Sequence, residues 1–221
     1  MDDKLFMQVD EYISNLLAPV DDVLGHAERA THAAGMPMIN ISPVQGKFLQ
    51  VLAKMCNAKK ILELGTLGGY STIWLARAIP DDGEVITIEA DAGYAEVAHK
   101  NFEFAELQHK IDIRIGKALD VLPEIEKERL APFDLIFIDA DKPPYPEYFQ
   151  WAIKLARPGS IIIADNVIRE GAVLDENSTD ERVQGVRRLN QWLSGNKAVT
   201  ATILQNVGIK EYDGMVVAVV N

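Results

Sequence analysis

The sequence has one cysteine, Cys56, so no internal disulfide can form and a small disulfide-stapled fold is excluded. Cys56 closes an apolar segment, where a small packing residue is the better reading than a reactive thiol. Basic residues are in deficit: 22 Lys and Arg face 33 Asp and Glu, for a formal net charge of −11. That balance opposes non-specific attraction to polyanions, so a nucleic-acid or acidic-membrane role needs a local basic patch, and none stands out. No uninterrupted apolar run reaches the length of a membrane span, and no charged-then-apolar leader opens the chain. With the lone thiol, this points to a cytoplasmic protein without a membrane partner. Internal repeats and low-complexity tracts are lacking too. What remains is 221 residues, 48% hydrophobic, enough to bury a full core in one domain spanning 1–221.

One missing glycine says more than these. Residues 61–71 read Ile-Leu-Glu-Leu-Gly-Thr-Leu-Gly-Gly-Tyr-Ser, a buried strand that breaks into a glycine turn and opens a helix. Ile61, Leu62 and Leu64 suit a parallel strand covered on both faces, and Gly65, Gly68 and Gly69 allow a tight turn and close approach of a ligand. A dinucleotide fingerprint needs G-x-G-x-x-G. Leu67 stands where the second glycine admits a pyrophosphate, which disfavours NAD or FAD. Glu63, near the strand end, would instead repel a phosphate and attract an ammonium. The next strand, 84–89, ends on Glu89, placed to accept hydrogen bonds from both hydroxyls of a ribose. S-adenosylmethionine combines a cationic amino-acid end with a ribose and carries no phosphate.

Along the chain, residues 1–58 read as a helical preface or lid, with apolar positions such as Leu5, Val9, Ile13 and Leu16 at helical spacing before a break at Pro19. Ser42 is a candidate cap and Pro43 a first helical residue for a further helix through Leu52. The loop 35–40 between them is apolar enough to close over a ligand, or is an ordinary connection. His26 and His32, six apart, do not share a helix face and are poor joint metal ligands. From residue 59 strand and helix alternate, as an α/β, Rossmann-like doubly wound sheet requires. Strands are expected at about 60–64, 84–89, 111–115, 133–138, 160–164, 199–204 and 214–220, and helices at about 69–79, 91–105, 117–127, 145–156 and 179–194.

Acids gather at two strand ends: Phe137-Ile138-Asp139-Ala140-Asp141-Lys142 and Ile163-Ala164-Asp165-Asn166. Ligands of doubly wound sheets bind at that carboxyl edge. Two Asp carboxylates and an Asn amide offer hard oxygen ligands suited to Mg²⁺, Mn²⁺ or Ca²⁺. The alternative is structural: Asx residues often end strands as loop caps, and Asp139 could simply pair with Lys142.

The ordered set of motifs resembles the class I S-adenosylmethionine-dependent methyltransferases, and within them the cation-dependent O-methyltransferases that include the catechol and caffeoyl-CoA enzymes. The resemblance runs from residues 41–46 to the final strand, which it implies is antiparallel in a seven-stranded, otherwise mostly parallel sheet. An Asp-x-Asp-Lys-x-x-Tyr motif falls on Asp139, Asp141, Lys142 and Tyr145, and an Asp-Asn pair on Asp165 and Asn166. The resemblance implies that Asp139, Asp165 and Asn166 ligate a divalent cation, most simply Mg²⁺, that Lys142 is the general base, and that Asp141 helps hold the cofactor. It also implies cofactor contacts from the Ile41 backbone, Glu63, Gly65, Thr66, Ser71, Glu89 and Ala118. A lysine at its ordinary pKa of about 10.4 is protonated at neutral pH, so the neighbouring cation must depress it for this role. The implied reaction is methyl transfer to a hydroxyl of a small catechol-like phenol by a homodimer, with substrate choice in the 36–41 and 169–180 loops. The alternatives are methylation of a hydroxylated tRNA base, a NAD-dependent dehydrogenase and a non-catalytic ligand-binding module. The net charge disfavours the first, Leu67 the second, and the complete ligand and base set the third.

Overall fold

Runs of Ile, Leu, Val and Phe supply strands whose side chains alternate between two faces, and each face is covered by helices. In the computed structural model, which describes residues 3–210 and 212–221, seven strands form one sheet. They are β1 (Lys60–Leu64), β2 (Glu84–Glu89), β3 (Ile111–Ile115), β4 (Phe133–Ile138), β5 (Ala156–Ala164), β6 (Val199–Asn206) and β7 (Asp213–Val220). Their spatial order is β3-β2-β1-β4-β5-β7-β6. β1 to β5 pair in parallel, and β7 runs antiparallel to both β5 and β6.

The pleat divides the core in two. Leu62, Leu64, Ile86, Ile136, Ile138 and Ile162 face α6 (Ala118–Lys127), α7 (Tyr145–Leu155) and α8 (Glu181–Ser194). Ile61, Val85, Leu135, Phe137, Ile161 and Ile163 face the other way, toward α2 (Asp22–Ala33), α3 (Pro43–Met55), α4 (Tyr70–Ala76) and α5 (Ala92–Phe104). The preface joins this second side, where Ala18, Leu24, Ala27, Ile41 and Leu49 are buried; its first helix, α1 (Asp3–Leu17), leaves Met7, Val9, Tyr12 and Leu17 exposed. Among the described residues no helix is long and apolar enough to cross a membrane.

Register decides where the chemistry lies. Leu64 pairs with Ile88 and with Ile138, and Ile138 pairs with Ala164. The next residues, Gly65, Glu89, Asp139 and Asp165, therefore leave the sheet side by side. The ladder continues one step beyond the strands: Gly65 N donates to Ile88 O at 3.0 Å, Asp139 N to Leu64 O at 2.9 Å and Asp165 N to Ile138 O at 2.9 Å.

Several boundaries differ from expectation for local reasons. α4 is shorter than 69–79 because Gly69, left-handed at φ 82°, is its cap, and Arg77 ends it ahead of Pro80. α8 begins at Glu181 because the Asp180 carboxylate caps it by accepting from Arg182 N. β5 starts at Ala156 rather than 160, and the 169–174 stretch winds into a 3-10 turn whose Glu170 and Gly171 are left-handed. Within the preface, α2 carries little apolar period, because Gly25, Ala27 and Thr31 are small among its buried residues; Asp21 caps it. Ser42 and Pro43 do start α3, with a reciprocal cap to Gln45.

Gly185, inside α8, packs against the end of β4's loop. A Cβ there would lie 2.1 Å from Lys142 O and 2.7 Å from the Pro143 Cα. Gly→Ala in a helix normally stabilises by about 1 kcal/mol, but a backbone clash of this depth costs about 1–3 kcal/mol or more. Gly185→Ala is therefore expected to lower the urea midpoint. A raised midpoint would show that α8 can slide away from the Lys142 loop.

Candidate active site

The carboxyl edge of the sheet opens into a cavity of ≈ 1890 Å³ bounded by the glycine turn, the ends of β2, β4 and β5, the 37–42 loop and the β6–β7 hairpin. A smaller depression of ≈ 720 Å³ lies at the opposite edge, among the ion-paired Lys59, Asp81, Asp82 and Lys110. The strand acids that line it, Glu84, Asp112 and Asp134, sit at the amino-terminal ends of β2, β3 and β4. Ile41, Gly65, Thr66, Ser71, Glu89, Ala118, Asp139, Asp141, Lys142, Asp165 and Asn166 all line the larger cavity.

Glu63 is the exception and corrects the expectation of a carboxylate facing the ligand. It is fully buried one position before the strand end, its Oε1 accepting from Ser71 Oγ at 2.6 Å. Its Oε2 accepts from Thr72 Oγ1 at 2.5 Å and Thr87 Oγ1 at 2.7 Å. The first turn of α4 thus folds its hydroxyls back over Glu63, and Ser71 is the member of this network that lines the cavity. Burial outweighs the three hydroxyl donors and pushes the Glu63 carboxyl up to about 7, with Asp139 adding repulsion.

Glu89 is held differently. Its Oε2 accepts from the backbone of Thr66 at 3.2 Å and Leu67 at 2.8 Å, and its Oε1 from Asp91 N at 3.0 Å. The carboxylate thereby ties the glycine turn to the end of β2 while staying on the cavity wall. Leu67, where the dinucleotide pattern has glycine, is itself left-handed at φ 49°. Gly68 and Gly69 admit neighbours rather than phosphate: a Cβ would meet Thr31 Oγ1 at 2.0 Å or the Phe102 ring at 2.3 Å.

At the end of β4, Lys142 Nζ donates to Asp139 Oδ1 at 2.9 Å and to Tyr145 Oη at 2.5 Å. The pairing weighed as a structural alternative is thus present. Tyr145 is fully buried and donates to Asp165 O at 2.9 Å. Its phenol is pushed well above the ordinary range by burial and by the Asp139 and Asp165 charges, so it stays protonated. Asp165 is 2% exposed, and burial followed by the Asp139 charge raises its carboxyl to about 7. Asn166 follows in the left-handed region at φ 57°, which Asn tolerates. Among the described residues no three His, Cys, Asp or Glu are grouped to hold a metal. The expected set has only two carboxylates, completed by an amide. Its donors fit a hard cation, which would also relieve the repulsion that now lifts Asp165.

Four supporting residues escaped the sequence reading. Tyr148 Oη donates to Asp141 Oδ1 at 2.5 Å, one helical face away on α7. Asn101 Nδ2 donates to Gly68 O at 2.8 Å from α5. Asp213 Oδ1 accepts from the backbone of Ile168, Arg169 and Gly214, pinning the segment after Asn166. Asp10 accepts from Ile209 N at 3.1 Å, joining α1 to the hairpin at the cavity mouth. None had a usable spacing signal, since Asp141 lies ahead of α7 and its separation from Tyr148 is not a helical one.

Strand order, the antiparallel β7 and the acid-tied glycine turn define a Rossmann-like methyltransferase. The O-methyltransferase family pattern matches residues 17–219, and the chain belongs to that family. It is similar to a catechol O-methyltransferase from Niastella koreensis, 60% identical over 220 residues and 100% of both chains. It is also similar to one from Mycobacterium tuberculosis, 44% identical over 96% of this chain and 94% of the other. Among solved structures, an O-methyltransferase from Bacillus cereus in complex with SAH matches with a TM-score of 0.97 at 50% identity, covering 99% and 100% of the two chains. TomG from Streptomyces achromogenes, in complex with SAM, matches with a TM-score of 0.96 at 46% identity, covering 100% and 99%.

Glu63 makes stability pH-dependent in a defined sense. With its folded pKa raised from 4.5 to about 7, the native state holds a proton that the unfolded chain releases, so stability falls as pH rises through that window. Glu63→Gln lacks this term. The stability of wild type minus that of Glu63→Gln is expected to decline by on the order of 3 kcal/mol between pH 4.5 and 7 and then level off. Parallel urea-stability curves across that range would contradict the buried, protonated assignment.

Proposed function

We propose that this enzyme transfers a methyl group from S-adenosylmethionine to one hydroxyl of a small catechol-like phenol, using a divalent cation. The flush exit of Gly65, Glu89, Asp139 and Asp165 from four neighbouring strands carries this reading, because it sets a cofactor cradle against an oxygen ligand set. The catechol O-methyltransferase relatives and the SAH- and SAM-bound neighbours support it.

In this reading Glu89 accepts hydrogen bonds from the ribose hydroxyls, and its three backbone donors fix the direction of the carboxylate. Ser71, the Ile41 backbone and the Gly65–Thr66 turn receive the amino-acid end. Glu63 acts from behind Ser71, fixing the direction of its hydroxyl without touching the cofactor. Ala118 and Asp141 flank the base, with Asp141 fixed by Tyr148. A divalent cation held by Asp139, Asp165 and Asn166 would supply Lewis acidity and a template for two adjacent acceptor oxygens. Lys142 takes the acceptor's hydroxyl proton at Nζ. The chain's main contribution is to hold acceptor and methyl donor in attack geometry inside the cavity at the carboxyl edge. A homodimer belongs to the proposal, and sedimentation tests it.

Removing the cation with a chelator is expected to abolish methyl transfer while leaving S-adenosylmethionine binding largely intact by calorimetry, since the cofactor wall uses other residues. Asp165→Ala is expected to cost more activity than Asn166→Ala, because it removes a charged ligand. Lys142→Ala should slow turnover by roughly 10²–10⁴-fold while retaining metal. Glu89→Ala should weaken cofactor binding by about 1.5–3 kcal/mol. Full transfer rates from protein shown metal-free by elemental analysis would sink the mechanism while sparing the fold and cofactor.

A further inference from the structure

We infer that Arg169 is a specificity-determining residue for the acceptor: its guanidinium receives a carboxylate carried on the phenol ring, so the substrate class is an anionic catechol. The inference rests on the proposed methyl transfer and deepens it by naming that substituent.

Partly buried arginines of this chain find acceptors. The side chains of Arg77, Arg114 and Arg187 are 26%, 28% and 25% exposed. Each sets its guanidinium on an oxygen: Arg77 on Asp21 at 2.8 Å, Arg114 on Asp112 and Glu128 at 2.7 and 2.9 Å, and Arg187 on the Val173 carbonyl. Arg169, at 24%, has no such bond from its side chain among the described residues. Its Nη1 lies 3.9 Å from Asp213 Oδ2, beyond hydrogen-bond reach, and its Nε is buried without a partner. Asp213 is already committed, because its Oδ1 accepts from the backbone of Ile168, Arg169 and Gly214. Across the β6–β7 ladder from Asp213, Asn206 leaves a second buried donor, Nδ2, unpartnered. A guanidinium presents five donors in a fixed fork that matches a carboxylate with two parallel hydrogen bonds. Here that fork lines the cavity unfilled.

Position along the sheet edge decides which ligand meets it. Glu89, Gly65, Asp139 and Asp165 follow β2, β1, β4 and β5 in spatial order, and β7 and β6 come next. β7 is antiparallel and pairs Val216 with Ala164, so Asp213 to Met215 stand beside the residues that follow β5. Asn206, paired with Asp213, ends β6 at the same edge. Arg169, whose backbone is tied to Asp213, therefore lies past Asp165, on the far side of the acids from Glu89. The cofactor in the proposed reaction occupies the Glu89 side, so the molecule that extends toward Arg169 is the acceptor. One strand spacing is about 4.8 Å, on the scale of an aromatic ring. With two ring hydroxyls at Asp139 and Asp165, a substituent on the opposite side of that ring reaches the guanidinium. Leu204 and Met215 line the same wall and offer the ring apolar contact. A neutral or cationic substituent would leave the fork unfilled.

Three matched acceptors test this: 3,4-dihydroxybenzoate, the neutral 3,4-dihydroxybenzamide and the cationic dopamine. Their binding to protein loaded with S-adenosylhomocysteine and Mg²⁺ is measured by calorimetry, and their methylation by steady-state kinetics. Wild type is expected to show Kd and KM for the benzoate about 10- to 100-fold below those for the amide, the scale of a charge-assisted hydrogen-bonded pair. Arg169→Gln should erase that advantage, raising Kd and KM for the benzoate by the same factor while kcat and both values for the amide and dopamine stay within about twofold. A merely structural role for Arg169 would weaken all three acceptors alike. That result, or a wild type with no preference for the benzoate over the amide, would overturn the inference. Arg169-dependent binding of the benzoate without methyl transfer to any of the three would uphold it and sink the proposed reaction instead. Should Arg169→Gln fold poorly, Arg169→Lys keeps the charge but loses the fork, and is expected to weaken the benzoate alone by about 3- to 10-fold. An equal loss on the amide would count against the assignment.

Discussion

A close approach between two strand ends governs the rest of the structure. At Gly65, with φ 95°, a Cβ would lie 2.0 Å from the Asp139 carbonyl oxygen, so only glycine lets the turn after β1 lie against the end of β4. Any larger residue would both strain the left-handed backbone and push Asp139 outward. That one contact sets the cradle beside the acids. A metal-assisted transfer between two bound molecules needs this adjacency, because much of its rate comes from placing the reacting atoms together.

Electrostatics at this edge follow from packing four acids into little water. Glu89 accepts from three backbone donors, whereas burial outweighs the hydroxyls around Glu63 and the single backbone donor to Asp165, and those two carboxyls rise to about 7. Asp139 raises both of them and is itself met by Lys142. The site is short of positive charge where the proposed cation and sulfonium cofactor would lie. Both ligands would bring charge that the protein itself does not provide.

Much of this was legible in the sequence because it is written in strand ends. Apolar runs that stop on Glu89, Asp139 and Asp165 mark a carboxyl edge, and Ser42-Pro43 marks a helix start; the structure agrees with both. The orientation of Glu63 was not legible, since it depends on hydroxyls from α4 and β2 that converge only in three dimensions. The same holds for Asn101 under Gly68 and Asp213 under Arg169, which serve the site from distant segments. Tyr145 was visible as part of a motif. Its double duty toward Lys142 and Asp165 follows only from the direction of its hydroxyl.

The proposed reaction requires cation and cofactor to lie side by side at this edge. Crystals grown with Mn²⁺ and S-adenosylhomocysteine, measured for anomalous scattering at the manganese edge, test it most directly. One strong peak bounded by Asp139, Asp165 and Asn166 is expected, with the ribose on Glu89. Manganese located elsewhere, or a cofactor bound with these three residues still empty of metal, would contradict it.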